Sequence, residues 1–206
     1  MRHPEFFDDV ARIVLRDPLA ELLGSAEDGL VEYGYADAVK LTGHSCPTVA
    51  GAYLMNRRAL GALYRDERPE RGAIRADFRE AATAGVTGVI ASVTTLITGA
   101  TFDTGFKGIA GRFDRRQRLF FDAPIGGDLR LQRLDTGAAV DVRYQPQRVP
   151  ADPALPELMP KVLAGAASEA ERAEFRRLWQ ERVRRILLEH ADDDALLSLR
   201  HVPAGA

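Results

Sequence analysis

Apolar residues recur at helical spacing along three long segments of the chain. Residues 47–64 form the first segment, with Val49, Ala52, Tyr53, Leu60 and Leu63 on one stripe. Residues 86–98 repeat the pattern, and residues 168–190 begin with the capping-box sequence Ser168-Glu169-Ala170-Glu171. A stripe of this period buries one helix face, so the pattern predicts three long helices. A shorter amphipathic pattern predicts another helix over residues 4–16.

Other segments alternate apolar and polar residues, which is typical of half-buried strands. The alternation predicts strands over residues 30–35, 73–78, 118–122, 129–134 and 138–144. Glycine-containing turns separate the last three strands, as in an antiparallel meander. A last short helix is predicted over residues 192–199. Together these elements predict an α+β fold, in which an antiparallel sheet is packed by helices and followed by a C-terminal helical extension.

Five prolines fall between residues 146 and 160. Proline removes a backbone donor and restricts its neighbour, so this density predicts a linker without regular structure. We therefore expect an α+β core over residues 1–145. Residues 146–206 are expected to supply the linker and C-terminal helices that pack on the core or on a second subunit.

Composition narrows the classes of partner and compartment. The net charge of −2 at pH 7 gives no electrostatic reason to expect nucleic acid or an anionic membrane as a partner. A single cysteine cannot form an internal disulfide, which fits a reducing compartment. The first residues carry acids where a secretory signal needs an apolar run, and glycine, serine and threonine interrupt residues 81–100. We expect a cytoplasmic protein without a membrane span.

Reactive side chains concentrate in one stretch, Gly43-His44-Ser45-Cys46-Pro47. Pro47 suits the first position of a helix, because its φ is already helical and it has no N–H to leave unpaired. Cys46 then falls at the N-cap, where the positive end of the helix dipole favours a thiolate. His44 adds an imidazole two residues away, so the two side chains can converge on one ion. The alternative is a cysteine with a purely structural role.

An open transition-metal site is our first functional hypothesis. One thiolate and one imidazole suit Zn²⁺ better than Mg²⁺ or Ca²⁺, and the same pair also suits a haem iron. Two protein ligands do not close a structural zinc site, so positions remain for water, a small-molecule substrate or a third ligand. We predict Asp103 as the third ligand, with Asp77 or His190 as alternatives from this chain or a second subunit.

Two hypotheses from other classes stay open. In the first, the protein is a metal-free enzyme in which Cys46 is the nucleophile and His44 its base, with helix N–H groups stabilising an oxyanion. In the second, the chain is a non-catalytic accessory subunit or dimeric interaction module, with the apolar face of the Trp179 helix as its docking surface. The sequence has no pterin-binding or iron–sulfur pattern.

The order and spacing of these motifs resemble a known family over roughly residues 30–200. The resemblance is carried by Gly43-His44-Ser45-Cys46-Pro47, Gly51, Leu96-Ile97-Thr98-Gly99-Ala100-Thr101-Phe102, Phe120-Phe121, Leu178-Trp179-Gln180-Glu181-Arg182-Val183 and Ala195-Leu196-Leu197. This ordered set is similar to the FmdE family, named for the FmdE component of formylmethanofuran dehydrogenase. The resemblance implies an α+β core, a dimer and a metal site around His44 and Cys46.

The chain departs from the family pattern at several positions. Val89 and Ser92 stand where the family commonly has Cys and then Asp in the second buried helix. Ala100 stands in place of the cysteine of a Gly-Cys-Thr motif, and Asp103-Thr104 replaces Gly-Lys. The cysteine-rich zinc finger that many members carry at the C-terminus is absent from this sequence. We therefore expect a site with fewer thiolates.

Overall fold

A computed structural model describes residues 2–203 of the 206-residue chain. Its α-helices are α1 (Pro18–Leu22), α2 (Tyr35–Thr42), α3 (Pro47–Tyr64), α4 (Thr87–Thr98), α5 (Leu155–Leu163) and α6 (Glu169–Arg184). Its strands are β1 (Ile13–Arg16), β2 (Leu30–Tyr33), β3 (Ile74–Phe78), β4 (Leu119–Phe120), β5 (Leu129–Arg133), β6 (Ala139–Tyr144) and β7 (Leu197–Val202). A π-helical turn, Arg185–Glu189, continues α6.

The strands form two sheets. β1 and β2 make an antiparallel pair, and the main sheet has the order β4-β3-β5-β6-β7. All neighbours in the main sheet are antiparallel except β3 and β4, which run parallel. The predicted α+β class is confirmed, and so is the meander of β5 and β6. The parallel β4 is only two residues long, because the chain returns to the sheet edge through the long loop 99–118 instead of a hairpin.

Helix α3 is the centre of the fold. It packs against α4 and against β5 and β6, and 12 of its 18 residues are buried. A helix that is apolar on nearly all sides belongs in a core rather than at a surface. The start of this central helix is also the start of the candidate site, so the site is anchored to the core of the fold.

A buried ion-pair network joins the first strand to the rest of the core. Asp17 caps α1 and is 4% exposed, and its two carboxylate oxygens bind Arg71 (2.9 Å) and Arg115 (2.6 Å). Burial alone would raise the pKa of Asp17, but the Arg71 hydrogen bond and the Arg115 charge outweigh it and lower that pKa.

Two predicted helices are wrong, at opposite ends of the chain. Residues 4–16 contain a 3₁₀ turn, Glu5–Phe7, followed by β1, because Ile13 and Leu15 alternate inward and pair with β2. The segment predicted as a helix over residues 192–199 instead leads into β7, which extends the main sheet beside β6. In both places a distant strand partner outweighs the local pattern.

The proline-rich segment also differs from the prediction, since it contains α5. Pro156 lies in the first turn of α5, where a missing N–H costs nothing, and α5 ends three residues after Pro160. Helix α5 packs on α6. Among residues 2–203, no helix combines the length and apolar composition that crossing a membrane would need.

Candidate metal centre

The His44/Cys46 segment is a short loop between α2 and α3. Gly43 ends α2 in the left-handed conformation, with φ 77°, which is accessible to glycine at little cost. Thr42 stabilises the turn by donating from Oγ1 to the carbonyl oxygens of Ala38 (2.9 Å) and His44 (3.1 Å). Pro47 is the first residue of α3, as the sequence predicts. The loop is therefore fixed at both ends by helix termini.

The His44 side chain is exposed, and one of its ring nitrogens is engaged. Nδ1 lies 3.0 Å from the carbonyl oxygen of Thr42. A carbonyl oxygen only accepts hydrogen bonds, so Nδ1 carries the proton in this contact. In the neutral ring, Nε2 then keeps its lone pair. This is the tautomer that metal-binding histidines commonly have, with the other nitrogen held by a backbone carbonyl.

Cys46 is the N-cap of α3, as the sequence predicts. Its backbone is extended (φ −151°, ψ 169°), and its sulfur makes no capping hydrogen bond. The side chain is half-buried against the edge of the core and is a free thiol. Among the residues the structure describes, Cys46 therefore has a sulfur that no capping bond occupies.

Ser45 lies between the two candidate ligands and is held by α6. Its hydroxyl donates to Gln180 Oε1 (3.0 Å), so the Tyr35 hydroxyl, also 3.0 Å away, donates to Ser45 Oγ. Trp179 Nε1 donates to the Ser45 carbonyl oxygen (3.0 Å), and Gln180 Nε2 donates to it as well (3.3 Å). Burial raises the pKa of Tyr35 well above its usual value, so the hydroxyl stays a donor at any physiological pH.

The first turn of α3 is held by Tyr144 of β6. The Tyr144 hydroxyl donates to the Pro47 carbonyl oxygen at 2.8 Å, and burial raises the pKa of this phenol too. To reach Pro47 the ring crosses Gly51, where a Cβ atom would lie 2.2 Å from the nearest ring carbon. Gly51 is thus required by the close approach of the tyrosine ring.

A cavity of about 410 Å³ opens beside His44, and we call it the aromatic cavity. Its apolar lining comes from the N-terminal segment, α2 and α6, namely Pro4, Phe7, Val39, Phe175 and Trp179. Its polar and charged lining consists of Arg2, His3, His44, Ser45, Arg176 and Gln180. Cys46 is not among the residues that line this cavity. A ligand in the aromatic cavity would meet the imidazole but not the thiol directly.

The candidates for a third ligand are each held elsewhere. Asp103 is exposed in the loop 99–118 and accepts a hydrogen bond from the Gln117 side chain. Asp77 is 5% exposed and paired with Arg75, and the His190 ring contacts Asp193 at 2.9 Å. No group of three His, Cys, Asp or Glu side chains that could hold a metal ion occurs within residues 2–203. The described part of one chain therefore supplies at most two of these ligands to an ion at His44.

Sequence reasoning missed three residues that shape the site. Trp179 and Gln180 fix Ser45 across a separation of 134 and 135 residues, which no local pattern reveals. His3 lies on the aromatic cavity with His44, although the predicted N-terminal helix gave it no role. The only available signal was Trp179 itself, the single tryptophan of the chain, whose N–H needs a partner when the ring is buried.

Comparison with known proteins identifies the family. The model of the FmdE family, described as "FmdE, Molybdenum formylmethanofuran dehydrogenase operon", matches residues 41–196, and a search of curated proteins gives no match. Similar solved structures include an FmdE-like protein of tungsten formylmethanofuran dehydrogenase from Syntrophus aciditrophicus. It is 20% identical, with 82% of this chain and 72% of that chain covered and a TM-score of 0.41. The family model spans well over half of the chain, including the His44/Cys46 loop and α6, so the protein belongs to the FmdE family.

Proposed function

We propose that the protein binds one transition-metal ion through His44 and Cys46 in an open site. The observation that carries the proposal is the contact of His44 Nδ1 with the Thr42 carbonyl oxygen at 3.0 Å. It leaves Nε2 as a lone-pair donor on an exposed ring and holds the ring in one orientation. Two residues on, the Cys46 sulfur is free of any capping bond.

The donor set fits a borderline-soft metal. Thiolate sulfur and imidazole nitrogen are the ligands that Zn²⁺ prefers, and they select against Mg²⁺ and Ca²⁺, which require oxygen. Zinc is therefore our first choice, with another transition metal or a haem iron as the alternatives. A bound metal ion would supply Lewis acidity, which activates water or polarises a carbonyl group.

The site is open because it lacks a third side-chain ligand in the described part of the chain. Water, a small-molecule substrate or a residue of a second copy would complete the coordination. The chain's own residues would orient the two ligands: Thr42 through the His44 ring, and Trp179 and Gln180 through Ser45. Asp103 stays our prediction for a third ligand that a second copy or a rearranged loop would bring.

Metal analysis of tag-free protein tests the proposal. Wild-type protein, His44→Ala, Cys46→Ala and Asp103→Ala are reconstituted with Zn²⁺ or Co²⁺, and metal content and absorption spectra are recorded. We expect about one metal per chain in the wild type, and a loss of affinity of about tenfold or more in the His44 and Cys46 variants. His201→Ala is the matched control, because His201 is an exposed histidine on β7 and should leave binding unchanged.

Two outcomes would overturn the proposal. Absence of metal in every sample after reconstitution would exclude a metal site. Equal metal content in the wild type and in both ligand variants would place the ion elsewhere. In either case, irreversible alkylation of Cys46 that added metal does not slow would favour the cysteine-nucleophile hypothesis.

The family description favours a second candidate function. It connects the family to the operon of a molybdenum formylmethanofuran dehydrogenase, and we propose an accessory role beside such an enzyme as the alternative. In that case the purified chain would bind the dehydrogenase directly. Sedimentation of the mixed proteins would show a joint complex, and separate boundaries at all concentrations would reject this role.

A further inference from the structure

The aromatic cavity has a wall suited to a flat apolar group. Phe175 and Trp179 lie one helical turn apart on α6, with ring centroids 5.7 Å apart and planes tilted by 31°. Phe7 lines the same cavity from the N-terminal segment. Cavities of this size that bind small molecules are commonly lined by aromatic rings, with a few polar groups that fix orientation. The cavity therefore offers stacking surfaces to a ring of the ligand.

The charges on the aromatic cavity have one sign. Every ionisable side chain that lines it is basic, namely Arg2, His3, His44 and Arg176, and no carboxylate lines it. Glu169 pairs with Arg176 at 2.8 Å and offsets part of its charge. Arg2 makes no ion pair within residues 2–203. An anionic ligand would find a cationic rim here, and a cation would find no counter-charge.

We propose that the aromatic cavity binds a small aromatic carboxylate, with its ring against Phe175 and Trp179 and its carboxylate toward His44 and the arginine rim. The inference rests on the proposed function in one respect: a metal at His44 would offer the carboxylate oxygen an open coordination position. Binding of the ring and attraction by the arginines require no metal. The substrate class of the site is thus an organic acid with a flat apolar body.

The probe pair is 2-naphthoate and its uncharged analogue 2-naphthamide, titrated by calorimetry into metal-free protein. Trp179 is the only tryptophan, so its emission reports occupancy of this cavity specifically. We expect the acid to bind about tenfold more tightly than the amide and to shift Trp179 emission, because only the acid meets the cationic rim. Zn²⁺ loading should tighten binding of the acid and leave that of the amide unchanged.

Variants separate the contribution of the ring from that of the charge. Phe175→Ala should weaken both probes by about fivefold, since it removes a stacking surface. Arg176→Gln should weaken the acid alone, by about threefold. Arg172→Gln is its matched control, because Arg172 also pairs with Glu169 on α6 but does not line the cavity. Circular dichroism of each variant confirms that it is folded.

The outcomes distinguish this inference from the metal proposal. If Zn²⁺ binds but neither probe perturbs Trp179, the cavity inference fails alone. If the acid binds with the expected preference and no metal is retained, the metal proposal fails alone. Equal affinities for acid and amide would refute the charge argument, as would equal effects of the Arg176 and Arg172 substitutions.

Discussion

Gly51→Ala should disturb the start of α3 more than any other single methyl group added to this helix. The new Cβ would lie 2.2–2.7 Å from three ring carbons of Tyr144, so the ring or the helix must move. The ring is held at its far end by the hydrogen bond from its hydroxyl to the Pro47 carbonyl oxygen, and it has little freedom to turn aside.

The expected loss of stability follows from three contributions. Overpacking of this kind costs about 1–3 kcal/mol, and loss of the Tyr144 hydrogen bond costs about 1 kcal/mol more. Replacing glycine with alanine in a helix returns about 1 kcal/mol. We therefore expect the free energy of unfolding to fall by about 1–3 kcal/mol, measured by urea unfolding followed through Trp179 emission.

Gly61→Ala in the same helix is the matched control. No atom lies within 4 Å of a Cβ at Gly61, so this change should raise the free energy of unfolding by about 0.5–1 kcal/mol. In a Tyr144→Leu background the penalty of Gly51→Ala should shrink, since the flat ring is gone. Equal stability of the Gly51 and Gly61 variants would refute the argument that the tyrosine ring requires glycine.

Three further predictions concern stability and assembly. Asp17→Asn should cost about 3 kcal/mol at pH 7, because Arg71 and Arg115 lose their buried partner. The lowered pKa of Asp17 makes this contribution complete above the unfolded value of 3.8 and lost as pH falls through the folded value, so urea midpoints of variant and wild type should converge in acid. Trp179→Phe should cost about 1 kcal/mol in thermal unfolding followed by circular dichroism, since the Ser45 carbonyl loses a donor; an unchanged Tm would contradict this. We expect a homodimer, which sedimentation at several concentrations checks, and a monomer at every concentration would reject it.

The central helix and the site loop could be predicted because their signals are local. Pro47 at the first helical position, glycine before the turn and the stripe of α3 are each written within a few residues. The same holds for β5 and β6, whose alternation and turns lie side by side in the chain.

The errors occur where a distant partner decides the structure. Residues 13–16 become a strand because β2 pairs with them, and residues 197–202 become a strand because they pair with β6. The aromatic cavity is built by residues 2–7 together with α6, so its basic rim could not be predicted from spacing. The identity of the two candidate ligands needed no such long-range contact, and they remain the prediction that the metal analysis tests.

The hold of α6 on Ser45 sets when the site can mature during synthesis. A nascent chain carries His44 and Cys46 early, but Trp179 and Gln180 leave the ribosome more than 130 residues later. Contacts of such sequence separation form late, because a long loop must close first. Until the last helix docks, the two reactive side chains lie on an unclamped loop, so a chain truncated before α6 should carry a misassembled site rather than a smaller working one.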